Sequence, residues 1–590
     1  FFFFCLDAAD VDALIDLRQF CLQEAGVGAL SPLDQCRRAA EDGDAQAQAQ
    51  LALLYYRGCG VDQDDTQAAA WFRRAAEQGH AEAQCALGLC FEYGRGVDQN
   101  GDEARVWYRL AAAQDLAAAQ FKLGGCHARG QLGLSQDLRE ALVWFRRAAE
   151  QGHAKAQCQL GYHLLSHDRV EAAMWLRRAA EQGLPDAEYQ MGCQLMGQDR
   201  GEALAWFRRA AEHDLAVAQY NMGVCYQKGL GTDQDYEQAA AWYRRAAEQH
   251  DAAAQHCLGV CYQAARGVRQ DDVEAAAWFR RAADQGLARS QHALGICYAA
   301  GRGVTPNLSE AATWFRRAAE QGLAQAQYQL GSCYTGGHGL AVDVQEGATW
   351  YRRAAEQGVR EAQHNLGVCF EAAQGVDQDF AEAAVWYRRA AEQGLDEAQY
   401  KLGECHRIGR GVECSEAEAA VWYRRAAEQG HACAQYGLGV CCANGRGLER
   451  DQAAAAEWFR RAAEQGHSVA QLQLANCYVY GRGMAQDSAQ AMVWFRRAAA
   501  QGQPDAQLRL GLVCASANKH AQAAALYRLA ADQGHAMAQC RLGACYEQGQ
   551  GVEPDPAAAE EWYRRAAERG SAEAAAALQK LMGTARAAVQ

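Results

Sequence analysis

Twenty-four cysteines, 16 histidines and 72 carboxylates give this chain the raw material for thiol redox chemistry, metal binding or acid–base catalysis. Their spacing decides against each. Cys90, Cys126, Cys225, Cys261, Cys297, Cys333, Cys369, Cys405, Cys441, Cys477 and Cys545 all stand at the second position after a Leu-Gly pair or its close variant. One thiol per repeating unit has no partner within its own unit. Equivalent helices of neighbouring units pack about 8–10 Å apart, whereas a disulfide needs Cα atoms within about 7 Å. These cysteines are therefore expected to act as small buried apolar side chains, which favours a reducing compartment. Zinc needs three or four ligands about 2 Å from one centre, and His256, His292 and His364 come one per unit at separations of about 10 Å or more. His80, His153 and His431 follow a Gln-Gly terminator, where an exposed polar residue is ordinary. The Gly-Arg-Gly turns resemble a dinucleotide fingerprint only superficially, because they follow a helix and recur in nearly every unit. There is no nucleophile elbow, Walker loop or paired-Cys zinc spacing. No catalytic, cofactor-binding or metal-binding residue is expected, and the chain reads as a non-enzyme.

The elements that carry these residues are set by tryptophan. Trp71, Trp107, Trp144, Trp175, Trp206, Trp242, Trp278, Trp314, Trp350, Trp386, Trp422, Trp458, Trp494 and Trp562 account for all 14 in the chain, with Leu526 in the one vacant slot. Such regularity means stacked copies of one supersecondary unit. In residues 81–116, Ala83, Leu87, Gly88 and Phe91 share one face of a first helix, A, which the Gly94–Val97 turn stops. A second helix, B, carries a stripe such as Ala68, Trp71 and Ala75, then paired arginines such as Arg73 and Arg74 on a solvated face, and ends at Gln-Gly. Glycine inside helix A, as at Gly161, Gly259 and Gly403, costs about 1 kcal/mol relative to Ala in an isolated helix. Its recurrence predicts a large side chain from helix B filling the place of the missing Cβ. The units ending at Trp175 and Trp206, and the one carrying Leu526, lack the Gly-x-Gly-Val loop, so a change of curvature is expected near residues 156–206 and 506–526.

The pattern A-x-x-x-L-G-x-x-Y/F-x-x-G-x-G-V followed by A-x-x-W-Y/F-R-R-A-A-E-Q-G resembles the Sel-1-like repeat family, relatives of the tetratricopeptide repeats. The resemblance implies an all-α fold, a right-handed α/α superhelix built as a solenoid of antiparallel helix pairs. Residues 44–570 then hold 15 repeats. Residues 1–43 are read as an N-terminal helix and degenerate capping repeat with Gln35 in the Trp slot, and residues 571–590 as a capping helix and tail. By the same resemblance the chain is expected to be a protein–protein interaction scaffold or adaptor, binding protein or peptide partners in a concave groove. Two alternatives go with the family: an adaptor of a ubiquitin-ligase complex in endoplasmic-reticulum-associated degradation, and a secreted Cys-rich protein that binds or hydrolyses β-lactams. The second is similar only in part, since most units here carry one cysteine in the common register, not a regular pair.

Two positions after the first Ala of helix A, on the side expected to face away from the apolar stripe, stand Tyr189, Tyr220, His256, His292, Tyr328, His364, Tyr400 and Tyr436. Such rings combine apolar area with a hydrogen-bonding tip and suit a protein partner; packing against the adjacent A helix is the competing expectation. A net charge of −14 and a pI near 5.7 argue against nucleic acid or an anionic membrane as partner. No stretch is long and apolar enough to span a membrane, and a monomer is expected. Phe1–Phe4, Cys5 and Leu6 are read as either the end of a signal-peptide apolar region or the edge of a fragment. A cytoplasmic location is favoured; a secreted, periplasmic or endoplasmic-reticulum location goes with a truncated signal peptide.

Overall fold

A computed structural model describes residues 32–589, with side chains described for residues 33–582. Thirty-two helices and no strand occur among them, and consecutive helices pair as hairpins. The chain falls into two compact units that meet in sequence at Ser290 and Gln291. Within each unit every helix packs on those before and after it in the chain, so the core is a row of clusters rather than a single centre.

Both helix ends are written into the sequence. Most B helices open on an Asp or Asn whose carboxyl or amide oxygen accepts the orphan N–H groups of the first turn; Asp64, for example, accepts from Thr66 and Gln67. Most A helices close on a residue in the left-handed region, such as Gly94 at φ 68°. The second glycine of the loop serves a different need. A Cβ on Gly96 would lie 1.8 Å from the carbonyl oxygen of Asp65, so that loop docks on the first turn of the preceding B helix in a way only glycine permits. In the two consecutive units without the loop, helices Ala154–Leu164 and Pro185–Leu195 are 11 residues long instead of 13; in the third, Pro504–Ser516 keeps 13, and none of the three has a left-handed C-cap.

Glycine within helix A has the predicted cause. A Cβ on Gly223 would come within 2.5 Å of the Tyr243 ring, on Gly259 within 2.7 Å of Phe279 and on Gly367 within 2.7 Å of Tyr387. The ring that follows Trp in helix B thus lies across the gap, wholly buried in Tyr243, Phe279 and Tyr387. The tryptophans are all buried or half-buried. Trp278 joins the cluster formed by the B and A helices before it, Ala239–Ala247 and Ala254–Cys261, and Trp422 joins Ala383–Cys405 in the same way. Each indole is a wedge between one hairpin and the next.

The ends differ from the repeats. In helix Pro32–Glu41, Cys36 occupies the place of the post-Trp ring and is buried, while Gln35 in the Trp slot is exposed. The residues proposed as that helix's partner, before 32, lie outside the described residues. Helix Ala572–Val589 exposes Gln579 where other A helices hold glycine.

Candidate partner-binding surface

The buried arc of helix A is wider than its apolar stripe, because each A helix packs against the B helix before it as well as its own. The Gln after the first Ala is drawn in: Gln84, Gln219, Gln327 and their equivalents are buried. In most repeats the side-chain amide is bonded at both its nitrogen and its oxygen; Oε1 of Gln539 in the last repeat is buried without an acceptor bond. Gln327 donates Nε2–H to the Ala319 carbonyl of the preceding B helix at 3.2 Å, and its Oε1 accepts from Gln357 at the end of its own B helix at 2.8 Å. Thirteen repeats hold this amide bridge, at 2.7–3.1 Å. Sequence reasoning assigned the terminal Gln only to closing the helix. The missed signal was a pair of glutamines recurring about one repeat apart, one of them beside the core Ala.

The Tyr/His position lies at the edge of this arc, not on the far side of the helix. Where a smaller or purely apolar residue fills it, as at Ala49, Cys85, Phe121, Cys158, Leu472, Leu508 and Cys540, the side chain is buried. The eight rings singled out from the sequence are half-buried. In the first unit Tyr189, Tyr220 and His256 meet the B-helix rings of Phe207, Tyr243 and Phe279 at centroid distances of 5.7, 5.9 and 5.5 Å. In the second, His292, Tyr328, His364, Tyr400 and Tyr436 meet Phe315, Tyr351, Tyr387, Tyr423 and Phe459 at 5.7–6.0 Å. His431 and His467, at the openings of the following A helices, stack on Tyr400 and Tyr436 at 4.9 Å. One side of each ring therefore belongs to the core, and the remainder is open.

Electrostatics follow from that half-burial. Burial lowers the pKa of His256, His292 and His364 below the usual imidazole value, with Arg289 acting in the same direction on His256. These rings are neutral at pH 7. Burial raises Tyr328, Tyr220 and Tyr436, and takes Tyr400 up to about 12, so the phenols stay protonated. Where the B-helix ring is Tyr, its hydroxyl in most repeats finds a partner near the end of helix A: Tyr108 donates to Glu92 at 2.5 Å, Tyr243 to Gln227 at 2.5 Å and Tyr387 to Glu371 at 2.6 Å, and Tyr423 donates to Glu404. Lys401 completes one such group, 3.0 Å from Glu371.

The opposite face is built from the arginine pairs. The second arginine lies over the indole three residues before it, as with Arg281 on Trp278 at 4.3 Å and Arg389 on Trp386 at 4.4 Å. The first reaches an aromatic of the next A helix; Arg316 donates to the Tyr334 hydroxyl at 2.8 Å, and Arg73 lies over Phe91 at 5.6 Å. Exposed as expected, the arginines are also tied down.

The 11 cysteines of the common register are buried, and burial takes the Cys90 thiol up to about 12 and Cys225 to about 11. Such thiols are protonated and poor nucleophiles. Among the described residues no group of three or more His, Cys, Asp or Glu side chains could hold a metal ion, and no described helix is long and apolar enough to cross a membrane.

Helix hairpins wedged by tryptophan, spaced by an internal glycine and repeated along the chain define an α-solenoid of the tetratricopeptide-like class. The family model described as Sel1 repeat matches 15 consecutive segments, from residues 45–80 to residues 536–571. The chain belongs to the Sel1 repeat family. Among solved structures it is similar to c5321, a protective antigen of uropathogenic Escherichia coli strains displaying an SLR fold, with 30% identity over 93% of this chain and 97% of that one and a TM-score of 0.49. A Sel1 repeat protein from Oxalobacter formigenes is 31% identical over 55% of this chain and 93% of its own, with a TM-score of 0.43. No curated protein matches the chain. Sel1 repeat solenoids are a fold typically used for protein–protein interaction, and the family is generally non-catalytic.

Proposed function

We propose that this protein is a non-catalytic scaffold or adaptor that holds protein or peptide partners against its A helices, with the Tyr/His positions as the contact residues in each unit. The observation that carries the reading is the step in exposure at one register position: buried where Ala, Cys, Phe or Leu stands, half-exposed at Tyr189, Tyr220, His256, His292, Tyr328, His364, Tyr400 and Tyr436. A ring fixed on one side by the core and open on the other loses little entropy on binding, and brings apolar area together with a hydrogen-bonding tip. The partner class is protein or peptide; the acidic balance speaks against nucleic acid. The chain acts as a monomer, with the helices before residue 44 and after residue 570 covering the ends of the repeat array.

Replacing these tyrosines by Ala would remove core packing together with any contact, so it cannot separate the two roles. A photo-crosslinking phenylalanine at Tyr328 or Tyr400 keeps the ring. Those variants are expected to capture a partner, and the same probe at the exposed B-helix residues Val385 and Val421 is not. Capture from the B-helix positions alone places the binding surface on the other face.

A further inference from the structure

Residues 185–215 depart from the amide bridge at both of its ends. Every other repeat has Gln at this register position of helix A, whereas this one has Glu188, and His213 stands where the terminal Gln stands in its neighbours. Glu188 is 0% exposed. The Arg209 guanidinium lies 2.9 Å from Oε1, and His213 Nε2 lies 3.9 Å from Oε2. An ionised carboxylate has no N–H to offer the preceding B helix. The hydrogen bond that Gln157 gives to Ala149 at 3.0 Å and Gln219 to Ala211 at 3.1 Å is instead made by Arg209, whose Nη2 donates to the Ala180 carbonyl at 3.3 Å. Arg209 still lies over Trp206, at 4.6 Å. One guanidinium thus ties together three helices that a pair of amides joins elsewhere.

The same hairpin is one of the two consecutive repeats without the Gly-x-Gly-Val loop, and so lacks the docking contact that loop makes on the preceding B helix. A joint that has lost its loop and rests on a buried charge is the weak point of its unit. Replacing a buried ion pair by neutral groups is often neutral or stabilising, because desolvating the charges offsets their attraction.

We propose that Glu188, Arg209 and His213 form a pH-responsive joint, weakest in neutral and alkaline solution and firmed by mild acid, at which hairpin 185–215 opens before the amide-bridged hairpins of its unit. Burial raises the pKa of Glu188, against the pull of Arg209 and His213, while Glu212 on the same B helix adds to the rise. A carboxyl raised in the folded state binds its proton more tightly there than in the opened chain, so folding gains stability as the pH falls through the raised value. Asp186 on the same A helix is raised by burial and tempered by Lys155, and His163 in the preceding hairpin is lowered by burial. Both titrate alike with or without Glu188, so a variant at Glu188 isolates the joint.

The test is amide hydrogen exchange on the full chain at about pH 8 and about pH 5.5, corrected for intrinsic exchange and compared between hairpin 185–215 and hairpin 81–116, which holds the Gln84–Gln114 bridge. Opening of 185–215 is expected to fall several-fold from the higher pH to the lower, with a smaller change in 81–116. Glu188→Gln is expected to abolish that excess. The double variant Glu188→Gln, His213→Gln, which restores both glutamines, is expected to raise protection at the higher pH above that of the parent. An excess that survives Glu188→Gln, equal opening at both pH values in the parent, or a double variant no better protected than the parent overturns the proposal.

Discussion

At the residue scale, the internal glycine of helix A shows an intrinsic cost outweighed by packing. Alanine at Gly259 improves helix propensity by about 1 kcal/mol, but its Cβ would meet Phe279 at 2.7 Å and the Ala275 carbonyl at 3.2 Å. Overpacking of that kind costs about 1–3 kcal/mol. Gly259→Ala is therefore expected to lower stability in urea titration by about 1–2 kcal/mol, against the propensity scale. The ladder histidines give a second expectation. Their folded pKa values lie below the ordinary 6.5, so the opened chain takes up protons that the folded one resists. Their contribution to stability is complete above that value and drains away as the pH falls below it, the opposite sign to Glu188. Circular-dichroism melts of a His256→Asn, His364→Asn variant should show a flatter decline in midpoint below about pH 6.5 than the parent.

At the scale of the element, the hairpin is closed at one end by hydrogen bonds and at the other by its loop. Gln327→Leu keeps volume but leaves the Ala319 carbonyl and the Gln357 amide without their partner. Gln357 is exposed and can turn to water, so the loss is expected near the lower end of the about 1–3 kcal/mol that an unsatisfied buried group costs, read from urea titration. The two consecutive hairpins without the loop use a different link. Arg146 reaches Glu171 at 2.6 Å and Arg177 reaches Glu202 at 2.9 Å, while Glu171 and Glu202 accept from the indoles of Trp175 and Trp206 at 3.1 and 3.3 Å. In repeats with the loop, the equivalent arginine instead lies against an aromatic of the next A helix, as Arg244 does at Tyr262. Exposed ion pairs of this kind stabilise by about 1 kcal/mol or less, so they are a weaker closure than the docked loop they replace.

At the scale of the whole molecule, stability is local, since each hairpin touches only its sequence neighbours within a unit. Helix Ala572–Val589 covers a cluster of Cys540, Ala559, Tyr563 and Ala566 through Ala574, Leu578 and Leu581. Removing residues 572–590 is expected to speed amide exchange across 536–571 while leaving residues 324–431 unchanged. Equal loss of protection throughout the second unit would show instead that it unfolds as one block.

The sequence alone determined the hairpin unit, its boundaries and its packing logic. Tryptophan spacing, the Gly-x-Gly-Val stop and the internal glycine each act over a few residues, or between the two helices of a hairpin, so their meaning is contained in a single repeat. The register of buried thiols was legible for the same reason. What only tertiary structure decided is how far burial extends around helix A. That arc is fixed by two B helices at once, one of them from the preceding repeat, and it moved the Tyr/His position from the far side to the edge of the core. It also buried the glutamines, whose polarity hid them from a hydrophobic pattern, and so concealed the one repeat where a carboxylate takes the amide's place. Periodicity reports which residues avoid water; it is silent on the polar groups that leave water because another repeat supplies their hydrogen bonds.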